Sequence, residues 1–310
     1  MINISNLTKK YGKNLAVDDL SFNIRDGEIF GLLGPNGAGK TTTIRLLCCL
    51  IAKTSGSVII NDLDTDKKSD QIKIRKLLGL LPENVGLYED LTVYKNLNFF
   101  GRLYKTSLQH RKEQIEFYLK NLDIWDKRNT TAGTLSKGMK QKVAIARALI
   151  HDPPIIFLDE PTANLDPESS KTVRNFIIEL KNEDRTIVLN THLLDEANKI
   201  CDRVGILKTQ LIAIDSPTNL KKQLWNRKTI IQLEKINEKI ISALQQANYS
   251  NIESLSNKLL IEVSDPEKEN PKIIDTIISV GGKIQFVTEF NPSLEEIYLK
   301  LIKEGIEDGF

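Results

Sequence analysis

The sequence has little net charge, few cysteines and no long apolar run. Its 43 Lys and Arg stand against 41 Asp and Glu, which leaves a formal charge of +2 over 310 residues. So small an excess gives no strong field for gathering nucleic acid or acidic lipid, and a binder of bulk polyanions is therefore disfavoured. The three cysteines include the neighbours Cys48 and Cys49 and lack the spacing of metal ligands. This pattern favours buried thiols over a disulfide framework or a zinc site.

Membrane insertion and secretion signals are also missing from the sequence. No apolar run reaches the roughly 18 residues that a membrane-spanning helix needs. The first ten residues lack the charged and apolar regions of a signal peptide. We therefore expect a cytoplasmic protein. With 40% apolar and 27% charged residues the composition is that of a globular protein, and the length suggests two domains.

Short β-type runs alternate with helical stretches along residues 1–215, which predicts an α/β layer built partly on parallel strands. The predicted strands are 2–7, 28–33, 57–61, 79–81, 154–158, 186–190 and 203–207. Between about residues 84 and 150 apolar side chains recur every three or four positions, as in Val93, Leu97, Phe100 and Tyr104. This spacing predicts a helical subdomain inserted into the α/β core, with the stripe packed inside.

The residues after Ser216 and Pro217 have a cycle of elements of their own. Strands are predicted at 229–233, 252–255, 259–263 and 283–287, and helices at 236–246 and 273–278. The resulting order βαββαβ is the ferredoxin-like arrangement, which predicts a second, α+β domain over residues 216–310. A last amphipathic helix around Leu294 and Leu301 closes this domain or packs back on the first one.

Residues 34–41 match the phosphate-loop pattern G-x-x-x-x-G-K-[ST] between an apolar strand and a helical stretch. The glycines let successive backbone N–H groups point at nucleotide phosphates, and the following helix adds its positive end. Lys40 supplies a charge for the β- and γ-phosphates, and Thr41 supplies a hydroxyl for Mg²⁺. The alternative is a glycine-rich turn without a ligand. The predicted nucleotide-binding residues here are Gly34, Pro35, Asn36, Gly37, Ala38, Gly39, Lys40, Thr41 and Thr42.

A pair of acids follows the apolar strand at 155–158. Asp159, at the strand end, is suited to hold Mg²⁺ through water, and Glu160 is suited to take a proton from the attacking water. The alternative is a pair of solvated acids. After a phosphate loop, the pair predicts a nucleoside triphosphatase with Asp159 as a metal ligand and Glu160 as the general base.

Residues 135–139 read Leu-Ser-Lys-Gly-Met and lie just before a helical stretch. Here the chain resembles the nucleotide-binding subunit of an ATP-binding cassette (ABC) transporter, whose signature motif is L-S-G-G-Q. Leu135, Ser136 and Gly138 match it, whereas Lys137 and Met139 depart from it. The hydroxyl and the glycine are kept, and Lys137 adds positive charge. Ser136 is also a suitable helix N-cap, and both roles are compatible.

The resemblance implies roles for further residues. Tyr11 corresponds to the aromatic residue on which adenine stacks, and His192 to the histidine that hydrogen-bonds the γ-phosphate. Asp166 is the acid of a loop, 163–166, that crosses to a partner subunit. Glu83 stands where the family commonly has glutamine, and its carboxylate reaches the metal and the attacking water. We therefore predict Lys40, Glu83, Glu160 and His192 as catalytic residues.

The resemblance also implies how the protein works. The fold would be a P-loop NTPase cassette with a mixed sheet, and two copies would meet head to tail around two ATP, each with Mg²⁺. A separate membrane permease would form the pathway and place the protein on the cytoplasmic face of the membrane. Glu83, the Ser-Lys-Gly-Met signature and the compact second domain resemble the drug-, antibiotic- and sodium-export branch. The alternative is a soluble ABC-type ATPase acting on a ribosome or nucleic-acid complex. The sequence does not name the cargo.

Overall fold

The computed structural model describes residues 1–163, 165–224, 227–290 and 292–307. Its contacts divide the chain into two units. The first contains Met1–Pro217 together with residues 301–307, and the second contains Thr218–Lys300. The predicted boundary at residue 215 differs from this division mainly at the end of the chain, which the prediction placed in the second domain.

The first unit alternates strands and helices as an α/β fold does. Its strands are β1 (Ile2–Tyr11), β2 (Asn14–Ile24), β3 (Ile29–Leu33), β4 (Ser55–Ile60), β5 (Leu63–Asp64), β6 (Leu78–Leu81), β7 (Ile155–Asp159), β8 (Thr186–Asn190), β9 (Arg203–Lys208) and β10 (Gln210–Asp215). Its helices are α1 (Lys40–Leu47), α2 (Lys68–Leu77), α3 (Val93–Leu103), α4 (Leu108–Asn121), α5 (Lys137–Leu149), α6 (Pro167–Asn182) and α7 (Leu194–Ile200).

The main sheet has the strand order β10-β9-β3-β8-β7-β6. Strands β9, β3, β8, β7 and β6 run parallel and β10 is antiparallel, so the predicted mixed sheet is confirmed. Every residue of β3, β7 and β8 is buried, which explains their nearly continuous apolar sequences. Because neighbouring parallel strands end at the same edge, the residues that follow these three strands are brought together there.

A second sheet in this unit has the order β2-β1-β4-β5 and is antiparallel. Our sequence analysis did not predict β2, β5 or β10. In β2 the alternation is broken, since Asp19 adopts a left-handed φ of 50° and the pairing with β1 shifts register between Leu20 and Val17. A strand with such a bulge does not show period-2 patterning along its whole length.

The segment around 84–150 holds the helices α3, α4 and α5. Val93 and Leu97 are buried as the predicted stripe requires. The outer part of the stripe differs, because Phe100 is half-buried and Tyr104 is 43% exposed. Within the described residues, no helix of the chain combines the length and the apolar character needed to cross a membrane. Of the free thiols, Cys48 and Cys201 are buried.

The second unit has the predicted ferredoxin-like order. It contains β11 (Lys228–Leu233), α9 (Glu238–Gln246), β12 (Ile252–Leu255), β13 (Lys258–Glu262), α10 (Pro266–Ser279) and β14 (Ile284–Glu289). Helix α8 (Pro217–Leu224) precedes these elements and α11 (Leu294–Glu307) follows them. The sheet order is β12-β13-β11-β14, with every pair antiparallel. Ile231, Leu244 and Ile273 belong to its own apolar core.

Candidate nucleotide-binding site

The glycine-rich loop connects β3 to the first residue of α1. Gly39 has a φ of 94°, and a Cβ there would lie 2.3 Å from the carbonyl oxygen of Ala16, so only glycine fits. The Lys40 Nζ donates to the carbonyl oxygens of Gly34, at 2.8 Å, and Pro35, at 3.1 Å. Burial lowers the pKa of Lys40, while the charges of Glu160 and Asp159 oppose that shift. A cation is thus held beneath a loop whose N–H groups suit an anion.

Asp159 ends β7 directly opposite this loop. The Thr41 hydroxyl donates to its Oδ2 at 3.3 Å, and the Asn190 side-chain amide donates to its Oδ1. The side chain is buried, which raises its pKa, although the bonds from Asn190 and Thr41 oppose the shift and the charge of Glu83 adds to it. These carboxylate and hydroxyl oxygens are the donor type that Mg²⁺ prefers.

Within the described residues there is no cluster of three or more His, Cys, Asp or Glu side chains arranged to hold a metal ion by itself. Mg²⁺ usually keeps several waters and shares its coordination shell with substrate phosphates, so one or two protein oxygens suffice. Thr41 and Asp159 therefore fit Mg²⁺ that arrives with a nucleotide.

Glu160 and His192 form a second polar pair at the same sheet edge. The Glu160 N–H donates to the Asn190 carbonyl at 2.9 Å, and its Oε1 accepts from the His192 backbone N–H at 3.1 Å. The His192 Nδ1 lies 2.8 Å from that same oxygen. The other oxygen, Oε2, is buried and has no hydrogen-bond partner among the described residues. One oxygen of the carboxylate is therefore anchored, and the other is buried and unpaired within the described part of the chain.

An open cavity of about 340 Å³ unites most of the predicted residues. A Cβ at Gly37 would meet nothing within 4 Å, so the loop leaves room there for a ligand. Tyr11 is 46% exposed, and the Lys9 Nζ lies 4.9 Å from its ring centroid. The cavity is lined by Tyr11, Asn14, Leu15, Ala16, Asn36, Gly37, Ala38, Gly39, Lys40, Thr41, Thr42, Glu83, Asp159, Glu160 and Asn190.

Several predicted residues lie elsewhere in the described part of the chain. Leu135, Ser136, Lys137, Gly138, Asp166 and His192 do not line the cavity, and neither do Gly34 and Pro35, which bind Lys40 through their carbonyls.

Ser136 caps α5 by accepting from the Met139 N–H at 3.2 Å, so its capping role is realised. Asp166 caps α6 in the same way at Ser169, and this bond lowers the pKa of its carboxyl group. Asn164 of the predicted crossing loop is outside the described residues.

Sequence reasoning missed two polar residues of the site. Asn190 was predicted only as the end of a strand, yet it bonds Asp159 and lines the cavity. The sequence feature that could have indicated this role is a polar residue at the end of an apolar strand, β8, which lies next to β7. The Gln141 side chain donates to the carbonyls of Glu160 and Pro161, at 3.2 and 3.3 Å. Nothing in the sequence pattern indicated that contact across 19 residues.

The cavity thus offers an anion cradle, a buried cation, oxygen ligands for Mg²⁺ and the Glu160 carboxylate. This combination suits the hydrolysis of a nucleoside triphosphate.

Comparisons with known proteins give a family match in each part of the chain. Residues 17–163 match the family model described as "ABC transporter". Residues 216–302 match the model for the C-terminal domain of DrrA1-3-like ATP-binding proteins.

Similar proteins cover almost the whole chain. The linearmycin resistance ATP-binding protein LnrL of Bacillus subtilis is 31% identical over 99% of this chain and 100% of its own. The bacitracin transport ATP-binding protein BcrA of Bacillus licheniformis is 34% identical over 98% of both chains. Among solved structures, the ATP-binding cassette MJ0796, dimeric and bound to ADP and Pi after hydrolysis, matches with a TM-score of 0.64 and 29% identity over 70% of this chain and 98% of that one.

Proposed function

Since the chain belongs to the ATP-binding proteins of ABC transporters and is an ATPase, we propose that two copies meet head to tail around two ATP and drive a separate membrane permease. The permease would hold the protein at the cytoplasmic face of the membrane. The observation that carries the proposal is the separation of the two half-sites in one chain. The phosphate loop and the acids share a cavity, whereas Ser136 and Asp166 lie outside it.

The second half-site has the properties of an anion-binding surface. Ser136 and Lys137 are exposed where α5 begins, and the helix N-terminus and the lysine both favour negative charge. A Cβ at Gly138 would lie 3.2 Å from the Leu165 side chain, so the signature lies beside the loop that leads to Asp166. We propose that this surface binds the γ-phosphate held by the phosphate loop of the second copy.

The chemistry follows from the contacts in the cavity. The Lys40 Nζ exchanges its loop carbonyls for phosphate oxygens, and Tyr11 stacks on the adenine. Thr41 and Asp159 would hold Mg²⁺, with Glu83 at the same edge, and the bound ion would supply positive charge to the phosphate oxygens. The Glu160 carboxylate takes the proton of the attacking water. His192 contacts Oε1 of Glu160, and we propose that its exposed ring also contacts the γ-phosphate.

Coupling to a permease is supported by an aromatic cluster that follows Glu83 in the chain, formed by Tyr88, Phe99 and Phe100, of which the first two are exposed. The ring centroids of Tyr88 lie 5.1 Å from Phe99 and 5.9 Å from Phe100, and Tyr88 is 50% exposed. Arg147 of α5 lies over Phe100, with its guanidinium 5.1 Å from the ring centroid.

This cluster is tied to the helix that carries the signature. Arg147 donates to the carbonyls of Val85 and Gly86, and the Lys140 Nζ lies 2.8 Å from Glu89 Oε1. If a permease displaced the aromatic cluster, the contacts of Arg147 would transmit the movement to α5, the helix that begins after Ser136.

Export is the direction that we propose for the cargo. The relatives named above are described by linearmycin resistance and bacitracin transport, and the second unit matches a DrrA-type domain. The alternative of a soluble ABC-type ATPase on a ribosome or nucleic-acid complex is not favoured by these relatives, and the net charge of +2 gives no support to a nucleic-acid partner.

A mixing experiment tests whether the two half-sites come from different copies. Lys40→Ala removes the phosphate-loop cation, and Ser136→Asp keeps an N-cap for α5 while repelling phosphate. Each variant alone should be inactive. In an equal mixture, half of the dimers combine both variants and contain one intact site of two, so ATPase activity should return to about a quarter of the unmodified rate.

The double variant carrying both substitutions in one chain is the matched control. When it pairs with an unmodified chain, each of the two sites contains one substituted half, so mixing should restore no activity. If the equal mixture of single variants stays inactive although mixed dimers form, the head-to-tail arrangement is wrong.

A further inference from the structure

Among the described residues, strand β14 is an unpaired edge of the sheet in the second unit. It is the last strand in the order β12-β13-β11-β14, and residues 285–289 are all exposed. Phe286 is 64% exposed, which is unusual for a large apolar side chain on a strand. Edge strands of this length are normally protected by proline or by inward-pointing charge, because they pair readily with another strand. Between 284 and 289 there is no proline, and the single charge is Glu289.

The hydrogen-bonding pattern between β14 and β11 shows which backbone groups of β14 point away from the sheet. The Phe290 N–H donates to the Lys228 carbonyl, and Thr288 and Phe286 lie opposite Ile230 and Gln232. In an antiparallel pair, alternate residues direct their N–H and C=O groups to the partner strand. Phe286 and Thr288 therefore bond β11, whereas Val287 and Glu289 direct their backbone groups to the open edge.

The sequence of this edge is complementary to itself. Lys283 and Glu289 lie three residues to either side of Phe286. If two such strands pair antiparallel about Phe286, the two Phe286 rings face each other and each Lys283 lies near Glu289 of the second copy. Aromatic pairs and opposite charges across strands are both favourable. The hydrogen bonding agrees with this register as well, because the backbone N–H and C=O groups of Val287 that point away from β11 would lie opposite those of Gln285 in the second copy.

The opposite edge of the sheet lacks these features. Strand β12 has four residues against the six of β14. Its Glu253 is bound to Lys228 in an ion pair within the chain. Lys283 also has a partner in its own chain, Glu234 at 3.0 Å, but both groups are largely exposed, and such a pair is easily shared or exchanged.

We propose that β14 pairs antiparallel with β14 of a second copy of this chain, centred on Phe286, and that this contact holds two copies together without nucleotide. A contact between identical surfaces has the two-fold symmetry that a homodimer requires. The contact is separate from the ATP-bridged one proposed above, so either can fail while the other remains. Its consequence is that the two second units stay joined when ATP is hydrolysed and the nucleotide sites open.

Cysteine cross-linking of the full chain tests the register. At a centred, non-hydrogen-bonded pair the two Cα atoms are about 4.5 Å apart, which lies within the disulfide range of about 4.4–6.8 Å. Phe286→Cys should therefore form a covalent dimer under mild oxidation with no ATP and with Mg²⁺ chelated. Val287→Cys faces Gln285 in this register, and Leu255→Cys lies on the opposite edge, so both are matched controls. We expect about tenfold more dimer from Phe286→Cys than from either control, because only its pair meets the disulfide geometry.

A proline variant tests the pairing without a new thiol. Val287→Pro removes an N–H that faces the open edge and leaves the bonds from β14 to β11 in place, as edge strands tolerate. Sedimentation should show that the nucleotide-free, unmodified chain forms a dimer. We expect the dissociation constant of that dimer to be at least about tenfold larger for the Val287→Pro chain. Equal cross-linking in all three cysteine variants, cross-linking that requires ATP, or a monomeric nucleotide-free chain would each overturn the proposal.

Discussion

His192 contacts a single oxygen of Glu160 twice. Its backbone N–H donates to Oε1 at 3.1 Å, and its ring Nδ1 lies 2.8 Å from the same atom. The ring itself is 60% exposed, although it does not line the cavity. Oε2 is buried without a partner among the described residues, so the carboxylate is fixed at one end and unpaired at the other.

Glu160→Gln should therefore separate ATP binding from hydrolysis. The amide keeps an oxygen for the two His192 contacts but is no longer basic, so we expect turnover to fall roughly 10²–10⁴-fold. ATP affinity should stay within a few-fold, since the phosphate loop is unchanged. Steady-state ATPase assays and nucleotide-binding titrations measure the two quantities. Glu179→Gln, an exposed change on α6, is the control. A Glu160→Gln protein that hydrolyses ATP at the normal rate would remove Glu160 from the role of base.

Glu83→Gln should change how Mg²⁺-dependent activity responds to acid. Burial raises the pKa of Asp159, and the charge of Glu83 adds to the shift. In the proposed site Mg²⁺ binds the ionised Asp159 carboxylate, so removing the Glu83 charge should lower the Asp159 pKa and move the acidic limb of the ATPase profile to lower pH.

The measurement is the pH profile at several Mg²⁺ concentrations, compared with Glu179→Gln. We also expect basal activity to survive and permease-stimulated activity to change. Unchanged Mg²⁺ dependence, pH profile and stimulated rate would show that the charge of Glu83 plays no part in either process.

Lys40 was predicted from a sequence motif, whereas the buried Glu196 of α7 was not predicted at all. The phosphate loop is local, because a strand, a glycine-rich turn and a helix must follow one another, and the motif therefore specified both fold and chemistry. Asp159 was predictable because a parallel strand must end at the same edge. Glu196 was not predictable, since its partner Thr162 lies 34 residues away in the chain. A side-chain contact of that kind depends on the packing of α7 and α6, which no periodicity records.

The two units differ in how well whole strands were predicted, and the second unit was the easier case. Its strands and helices alternate regularly, so their order was predicted from the sequence. In the first unit β2 escaped prediction because the bulge at Asp19 moves buried residues out of a period of two. The exposure of Tyr104, at the end of a stripe predicted as core, depends on which neighbours cover α3 and is likewise not encoded locally.

Glu196 should couple the loop after Glu160 to the helix after His192. The Thr162 hydroxyl donates to its Oε2, and the Arg174 Nη2 lies 3.3 Å from its Oε1. The carboxylate is buried, so a double-mutant cycle of Glu196→Gln and Arg174→Leu should give a coupling free energy of about 1–3 kcal/mol.

The same Glu196→Gln change should lower kcat more than it raises KM for ATP, because the residue positions loops and does not line the cavity. Chemical unfolding and steady-state kinetics provide the two measurements. Additive effects of the two substitutions, together with an unchanged kcat, would show that the network is only a local packing feature.

His151 should make the first unit sensitive to acid. Burial lowers its pKa to about 4, although its bond to the Leu78 carbonyl opposes the shift. The ring stacks on Tyr104 with centroids 3.6 Å apart, Nε2 lies 3.1 Å from the Leu78 oxygen, and Nδ1 is buried without a partner among the described residues. A second proton on the ring would therefore have no acceptor in the folded state.

The unfolded chain takes up this proton near pH 6.5, whereas the folded chain resists it until about pH 4. Stability is thus fully present above pH 6.5 and is lost as the pH falls from there toward 4. Between pH 7 and 5 the loss attributable to His151 should be about 2 kcal/mol. His151→Gln keeps a donor for the Leu78 carbonyl and cannot be protonated, so its unfolding midpoint, followed by calorimetry, should fall less steeply over this range. Parallel slopes for both proteins would assign the acid sensitivity to other groups.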